Sequence, residues 1–424
     1  MGFTKFSARS TPKNGYIKFA KTHPGANVSS DLNLVVTELS LVSRAWTSGK
    51  FLDFFKAFNR EKKMLQFFGI YPTKAPKHVL HFLLLLVIYG INILNLILVL
   101  MLLIVKDLSN FVQSAHFAII VVTSMSKASL FAGGQKQFKE IEDHITAAQA
   151  IIIPEEIMGY VIKEEKSRNR LYVPQRLLVI SGLLFKLIVV VLLHNQRPHV
   201  IIGWSPFDLH NLVYYYPTII IESAAYLSNA YCNVSMDVMY YVLIDIACCE
   251  MDILMFKLTN LNSESGYLKI SEDLKECIIY HQNILSFIKV IQKLYSRIIF
   301  TQCIGSMLII SYLGFQLAAT TEFPSGIFVS QVIYFASMVF QIFIYTWFGQ
   351  KFMDKSQDIT QACYLSEWHK FDIRIQKTIL VILTRSTRPC VLVAGTFDLT
   401  LETFVKIIKS SYSYMTVLNT MYSK

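Results

Sequence analysis

The chain has 424 residues, of which 53% are hydrophobic and 16% are charged. Soluble domains carry roughly 25% charged residues, so this composition excludes an ordinary water-soluble protein. The seven cysteines show no metal-ligand spacing, which argues against a zinc framework.

Apolar runs recur seven times along the sequence, and a transmembrane helix needs about 20 residues of this kind. The fourth run stays apolar far longer than one crossing requires, and the seventh is the least apolar. They predict an all-α membrane protein with seven transmembrane helices, here called spans 1 to 7. The runs cover residues 79–105, 111–132, 177–193, 211–254, 298–318, 327–348 and 399–421.

Lysine and arginine are distributed unevenly between the connections. About 13 precede span 1, and about 7, 6 and 7 lie in the 2–3, 4–5 and 6–7 connections, against about 1, 1 and 0 in the others. Since positive charge stays on the cytoplasmic side, we expect a cytoplasmic N-terminus and an extracellular C-terminus. The net charge of +11 is then explained by topology and attraction to anionic membrane lipid, and we expect no nucleic-acid partner.

The cytoplasmic connections carry their own helical patterns. Apolar and polar residues alternate at helical spacing after "NSESG" in the 4–5 connection, at 248–296, and again from 351 to 389. We predict helices that continue beyond the membrane and pack into an intracellular bundle. The expected boundaries are an N-terminal segment at 1–78, spans 1 to 6 at 79–349, a cytoplasmic helix at 350–395 and the last span at 396–424.

Ionisable residues inside spans are costly, so each is a candidate for function. Lys127 lies towards the cytoplasmic end of span 2, where its side chain could reach the interface. Lys186 is another such residue, and Glu222 lies deeper, where a ligand-binding or pairing role is one alternative to a merely structural one. Asp237 and Asp245 are predicted to lie at or beyond the inner membrane surface.

Residues that could support catalysis or bind metal are scattered. His78 and His81 form a pair at helical spacing without an acidic or cysteine partner, so a metal site is not expected. The acid pairs at 155–156 and 164–165 lie in a polar loop and are interpreted as solvated charge. We therefore expect neither a cofactor nor an enzyme activity.

One face of span 7 carries a polar stripe with helical spacing. Beside it, Val417 and Met421 add apolar bulk near the outer end. Lipid cannot satisfy such a stripe, so it faces either water or polar protein. Several copies around a symmetry axis could line a conduit, but a polar helix packed into a bundle explains the spacing equally well. The stripe consists of Glu402, Lys406, Lys409, Ser413, Thr416 and Thr420.

The C-terminal third resembles the insect odorant receptor family. The resemblance runs from "TWFGQKFMDKSQDITQACYLSEWHKF" through "TRPCVLVAGTFDLTLETF" to "SYSYMTVLNTM". Upstream, the chain is similar to the family in length, span number and orientation. The marks that carry the resemblance are Gly349, Ser356, the spacing of Tyr364 and Trp368, Pro389, the turn at Ala394, Gly395 and Phe397, "LETF" and "SYSYMTVL".

The resemblance implies a ligand-gated, non-selective cation channel in the plasma membrane of a sensory dendrite. This chain would be the tuning subunit of a heterotetramer with a shared odorant co-receptor, and its cytoplasmic helices would form the anchor between subunits. Span 7 would line the pore for permeant cations. The implied gate residues are Val417, Met421 and Thr420, with Ser413 and Thr416 further along the pore.

The resemblance also implies an odorant site between spans 2, 3, 4 and 6 in the outer half of the membrane. A mostly apolar, aromatic pocket would suit a small hydrophobic volatile. The residues expected there by location are Phe117, Phe185, Ile188, Tyr215, Ile219, Gln331, Tyr334 and Phe335.

Competing classes fit the sequence less well. A G-protein-coupled receptor would need an external N-terminus, which the charge distribution opposes. A secondary transporter would usually show an internal repeat with broken helices. A membrane enzyme would need a cluster of reactive side chains at one depth. A gustatory-type receptor channel of the same superfamily, or a seven-span transporter, is the alternative function.

Overall fold

The computed structural model describes residues 53–71, 78–106, 108–149, 156, 158–160, 163, 174–182, 184–185, 187–188, 211–261, 266–319 and 326–422. All of these belong to the unit at 52–424. The helices are α1 (Asp53–Phe67), α2 (His78–Ile104), α3 (Leu108–Ala132), α4 (Gln135–Gln149), α5 (Leu212–Thr259), α6 (Tyr267–Ala319), α7 (Gly326–Leu365), α8 (Ile373–Ser386) and α9 (Leu401–Tyr422). A short 3-10 turn, Trp368–Lys370, precedes α8, and the strands β1 (Val393–Ala394) and β2 (Phe397–Asp398) precede α9.

The all-α fold predicted from the sequence is confirmed. Helices α2, α3, α5, α6, α7 and α9 coincide with spans 1, 2, 4, 5, 6 and 7, and residues 174–182 of the third span region are helical. By length and composition, three helices in the described part of the chain could cross a membrane, at Ser114–Ala132, Tyr267–Ala318 and Phe328–Leu365. Tyr89–Ile104 is a shorter apolar helix.

Helices α6 and α7 continue far beyond their predicted spans, and α5 is about as long as the over-long fourth run. Helices α5, α6 and α7 contain 48, 53 and 40 residues, so they are about 72, 80 and 60 Å long, against about 30 Å of hydrocarbon. The predicted helical extensions are therefore present. Helix α8 packs on α6 and α7, so the extensions form one bundle. The side of the membrane on which this bundle lies stays a prediction.

Helix α5 forms the centre of the fold. All residues from 234 to 254 are buried, and α5 packs on α1, α2, α3, α6 and α7. A helix that is hydrophobic on every side is buried on every side. This explains why the fourth apolar run is longer than one membrane crossing.

A buried ion pair joins α3 to α5. Lys127 Nζ lies 2.5 Å from Asp237 Oδ1 and donates to Gln302 Oε1 on α6 at 2.9 Å, and the side chains of Lys127 and Asp237 have 0% exposure. Gln341 and Tyr345 of α7 also donate to the Asp237 carboxylate. A charge removed from water needs such partners.

One sequence prediction about this pair is wrong. Lys127 does not extend to an interface, because its ammonium group is enclosed by protein. Asp237 bonds to residues within spans 2 and 6, and its expected position at or beyond the inner membrane surface stays a prediction. Glu222 is buried as well, at 5% exposure, while Lys186 lies outside the described residues.

Helix α1 was not predicted from the sequence. It packs on α5, with Phe58 and Leu65 buried. Its Glu61 is also fully buried and forms ion pairs with Arg60 and with Arg176 of the 174–182 helix. Both arginines lie in stretches whose positive charge was counted to predict topology, and here they pair with a buried carboxylate.

A short hairpin sets the start of α9. Val393 pairs with Asp398, and Ala394 with Phe397. Gly395 adopts φ +60° at the turn, where an L side chain is strained, and its N–H donates to Ser296 Oγ of α6 at 3.0 Å. Because Asp398 belongs to this strand pair, α9 begins at Leu401 rather than at the predicted residue 399.

The helix α7 backbone approaches this hairpin closely at Gly349. A Cβ added there would lie 2.6 Å from Leu399 Cβ and would overlap the Leu399 carbonyl oxygen. Only glycine therefore permits α7 to touch the segment that leads into α9.

The Lys127→Met variant should lose thermal stability, since it leaves Asp237 charged and buried without its cation. Removing one partner of a buried pair costs about 3–5 kcal/mol. The double variant Lys127→Met with Asp237→Asn should recover part of this loss, because its amide is neutral and still accepts hydrogen bonds. The measurement is the temperature at which heating removes half of the monodisperse peak in size-exclusion chromatography. A double variant no more stable than Lys127→Met would show that the unpaired charge of Asp237 is not the cause of the lost stability.

The Gly349→Ala variant should lower the same thermal midpoint, because the α7 backbone must withdraw from Leu399. Gly90→Ala in α2 is the matched control, since no atom lies within 4 Å of its added Cβ. Alanine is roughly 0.5–1 kcal/mol more favourable than glycine inside a helix, so the control should keep or raise the midpoint. Equal midpoints for both variants would show that the close contact at Gly349 does not limit thermal stability.

Candidate functional site

A cavity of about 90 Å³ lies among α3, the 174–182 helix, α5, α6 and α7. Most of its lining is apolar or aromatic, as is usual for sites that bind small organic molecules. The lining residues of this kind are Phe117, Ile120, Leu178, Val179, Gly182, Tyr226, Ala230, Val234, Ile309, Ile333, Tyr334 and Met338.

Polar residues line the part of the cavity next to the buried ion pair. Thr123 and Asn233 precede Lys127 and Asp237 by four residues, which is one helical turn. We call the polar lining on this side the cavity floor. It consists of Thr123, Gln175, Asn229, Asn233, Gln302, Ser337 and Gln341.

The amides of the floor are bonded to one another and to the ion pair. Gln302 Nε2 donates to Ser306 Oγ at 2.7 Å and to Gln341 Oε1 at 2.9 Å. Asn229 Nδ2 donates to Asn92 Oδ1 of α2 at 3.3 Å. The floor is therefore a hydrogen-bonded layer rather than a set of independent side chains.

Two of the eight residues predicted to bind ligand line the cavity, Phe117 and Tyr334. The other six do not. Ile219 packs behind Phe117, and Gln331 donates to Gln316 Oε1 at 3.1 Å. Tyr215 is buried beside Tyr216, with ring centroids 5.5 Å apart.

The remaining three lie elsewhere on their helices. Phe185 is half-buried, Ile188 is 52% exposed, and Phe335 is half-buried near Gly314 of α6. On α5 the lining begins at Tyr226, about two helical turns beyond the predicted Ile219. The roles of all eight residues in binding stay predictions.

Sequence reasoning missed the amides of the floor, although a signal for them was present. Asn229 and Asn233 are four residues apart in "YLSNAYCNVS", so they share one face of an apolar span. Gln302 and Gln341 are likewise isolated amides in apolar runs. A polar side chain inside a membrane bundle needs a partner, so these four could have been singled out together.

Helix α9 is packed on one side and open on the other. Thr403, Ile407 and Ser411 are buried, and Ser411 Oγ lies 3.4 Å from the Met307 carbonyl oxygen of α6. On α6, Gly314 leaves room for the Met415 side chain. One face of α9 is therefore docked on the bundle.

The predicted polar stripe lies outside this docked face. All six of its residues are exposed, and within it Lys406 Nζ and Glu402 Oε1 form an ion pair of 2.7 Å. The apolar residues beside the stripe are exposed too, Val417 at 53% and Met421 at 72%. In the described part of the chain, the stripe is therefore not packed inside the helix bundle of a single subunit.

The hydroxyl groups of the stripe direct their hydrogens towards the helix. Ser413, Thr416 and Thr420 donate to the carbonyl oxygens of Lys409, Tyr412 and Thr416 at 3.1, 3.0 and 3.2 Å. Their oxygen lone pairs are then free on the exposed side. Oxygen atoms are the ligands that hard cations prefer, so this surface can stabilise a passing cation.

The family model for the 7tm Odorant receptor matches residues 107–412, nearly three quarters of the chain. Among similar sequences, odorant receptor 85b of Drosophila melanogaster is 24% identical over 231 residues, which cover 54% of this chain and 58% of that one. Odorant receptor Or2 of Anopheles gambiae is 28% identical over 152 residues, covering 36% and 40%. The matched part thus spans little more than half of these relatives, or less.

The fold is also similar to that of a solved insect olfactory receptor, OR5 of Machilis hrabei in complex with eugenol. The TM-score is 0.76 at 17% identity, and the match covers 87% of this chain and 98% of that one. A second structure of the same receptor matches with a TM-score of 0.73. This chain, a membrane protein with that seven-helix fold, belongs to the seven-transmembrane odorant receptor family.

Proposed function

We propose that this chain is the odorant-tuning subunit of a ligand-gated, non-selective cation channel of the plasma membrane. It assembles as a heterotetramer with a shared odorant co-receptor. The polar stripe carries this proposal, because it is exposed on the face of α9 that does not dock on the bundle. Such a face must meet water or other subunits in a membrane, and a pore between subunits provides both.

The ligand in this proposal is a small hydrophobic volatile that binds in the cavity. Support comes from the predominantly apolar lining and from the position of the cavity between helices. The related OR5 was solved with eugenol, which fits a site for small organic molecules in this fold.

The cavity and α9 share two helices. On α7, Met338 lines the cavity, and Phe343 further along contacts Phe404 of α9 with ring centroids 5.7 Å apart. On α6, Ile309 lines the cavity five residues before Gly314, which accommodates Met415 of α9. A ligand that favours one arrangement of α6 and α7 would therefore bias the position of α9.

The gate in this proposal is formed by Val417 and Met421, with Thr420 beside them. The two apolar residues are one helical turn apart and exposed, so copies from several subunits could close a constriction by excluding water. Ser413 and Thr416 would line the wet path below it.

The anchor between subunits is the bundle of helical extensions, on the cytoplasmic side according to the distribution of positive charge. Helix α8 exposes Ile373, Leu380 and Val381, at 60%, 55% and 68%. Clustered apolar side chains on a surface indicate a protein interface, and neighbouring subunits would cover them.

Cells that express this chain with an insect odorant co-receptor should pass an inward cation current when a panel of volatiles is applied. Cells with the co-receptor alone are the control, and the response must require both chains. Absence of a two-chain response across a broad panel, with both proteins at the cell surface, would refute the proposed channel.

A cysteine at Thr416 should make this current sensitive to a cationic thiol reagent, because residue 416 faces the proposed pore. Ser411→Cys is the matched control on the same helix, since Ser411 is 1% exposed and packs on α6. The reagent should reduce the current of Thr416→Cys several-fold. It should not change the current of Ser411→Cys, nor that of the channel with the unsubstituted chain, which has seven cysteines of its own. Equal sensitivity of both variants would contradict the proposed orientation of α9.

A further inference from the structure

The floor of the cavity offers mainly hydrogen-bond acceptors, as Asn233 illustrates. Its Nδ2 lies 3.0 Å from the backbone carbonyl oxygen of Asn229, 2.7 Å from Asn229 Oδ1 and 2.5 Å from Ser124 Oγ. A carbonyl oxygen can only accept, so the atom that contacts it must be the nitrogen. The two hydrogens of this amide are therefore used within the protein.

The side-chain oxygen of Asn233 is not used in this way. In the described part of the chain, its Oδ1 has no hydrogen-bond partner, and the side chain lines the cavity. A carbonyl oxygen of this kind has two lone pairs to offer. Asn233 thus presents acceptor capacity to whatever fills the cavity.

The floor hydroxyls behave in the same way. Thr123 donates its hydrogen to the Ile119 carbonyl oxygen at 2.8 Å, and Ser337 donates to the Tyr334 carbonyl oxygen at 2.7 Å. Each hydroxyl keeps its lone pairs and has no second hydrogen to give.

The buried carboxylate accounts for part of this polarity. Gln175 Nε2 and Gln341 Nε2 both donate to Asp237 Oδ2. A carboxylate attracts N–H groups and repels carbonyl oxygens, so it turns the amide nitrogens towards itself and away from the cavity.

We infer that the preferred ligand is a small alcohol whose hydroxyl hydrogen is donated to Asn233 Oδ1. This inference rests on the proposed odorant site and specifies its ligand class. Tyr334 also lines the cavity, and its hydroxyl has no hydrogen-bond partner among the described residues. It can donate to the oxygen of a ligand hydroxyl, whereas an ether or hydrocarbon leaves the Asn233 acceptor unsatisfied.

The cavity volume sets the size of this ligand. An apolar cavity of about 150 Å³ holds benzene, which has six non-hydrogen atoms, so a cavity of about 90 Å³ takes roughly four or five. Propanol and butanol are of this size.

The test compares pairs of isomers that differ in the hydroxyl hydrogen. Propanol is paired with ethyl methyl ether, and butanol with methyl propyl ether, so volume and composition are matched. Binding is measured from the rise in thermal midpoint of the full-length receptor, purified with its co-receptor, as the ligand concentration increases. Current through the same complex gives a second readout. Each alcohol should bind about tenfold more tightly than its ether, as one well-placed hydrogen bond provides.

Two variants localise the effect. Asn233→Leu should abolish the preference for alcohols by weakening alcohol binding about tenfold while leaving ether binding unchanged. Ile333→Val, in the apolar wall, is the matched control and should weaken both members of a pair equally. If Asn233→Leu does not fold, the isomer pairs on the unmodified receptor still decide the question.

Ethers that bind as tightly as their alcohols would overturn the inference, while the binding itself would still support the proposed odorant site. If no compound binds and no volatile on a broad panel elicits current, the proposed function and the inference both fall. Alcohol preference that persists in Asn233→Leu would also refute the role of Asn233.

Discussion

The ion pair between Lys127 and Asp237 is the constraint on which the packing of the bundle depends. Neither charge can be left alone in a protein interior surrounded by lipid, so α3 and α5 must meet at these residues. The carboxylate also collects donors from α7 and from the 174–182 helix, and the ammonium group contacts α6. One network therefore fixes the relative positions of five helices.

The same network decides the chemistry of the cavity beside it. Hydrogen-bond donors turn towards the carboxylate, and the acceptors that remain define the polar side of the site. The rest of the lining is apolar, because only the helix faces near the charges need polar groups. The selectivity that we propose for the cavity is thus linked to an interaction whose first role is to hold the bundle together.

A second set of close contacts joins the cavity helices to α9. Gly349 and Gly395 allow α7 and α6 to approach the hairpin before α9, and Ser356 Oγ accepts a hydrogen bond from the backbone N–H of Cys390 at 2.9 Å. These residues are among the marks by which the sequence resembles odorant receptors. Their physical role is to fix the start of the helix that carries the exposed polar stripe.

The sequence by itself determined the all-α class, the spans and the spacing of the stripe on α9, because hydrocarbon demands long apolar helices and polar residues must repeat at the helical period to share a face. Only the tertiary structure decided which residues meet. Lys127 and Asp237 are 110 residues apart, and no local pattern encodes their contact. Likewise, Phe117 and Tyr334 line the cavity while Ile188 and Gln331 do not, because the depth and rotation of packed helices depend on partners that are distant in sequence.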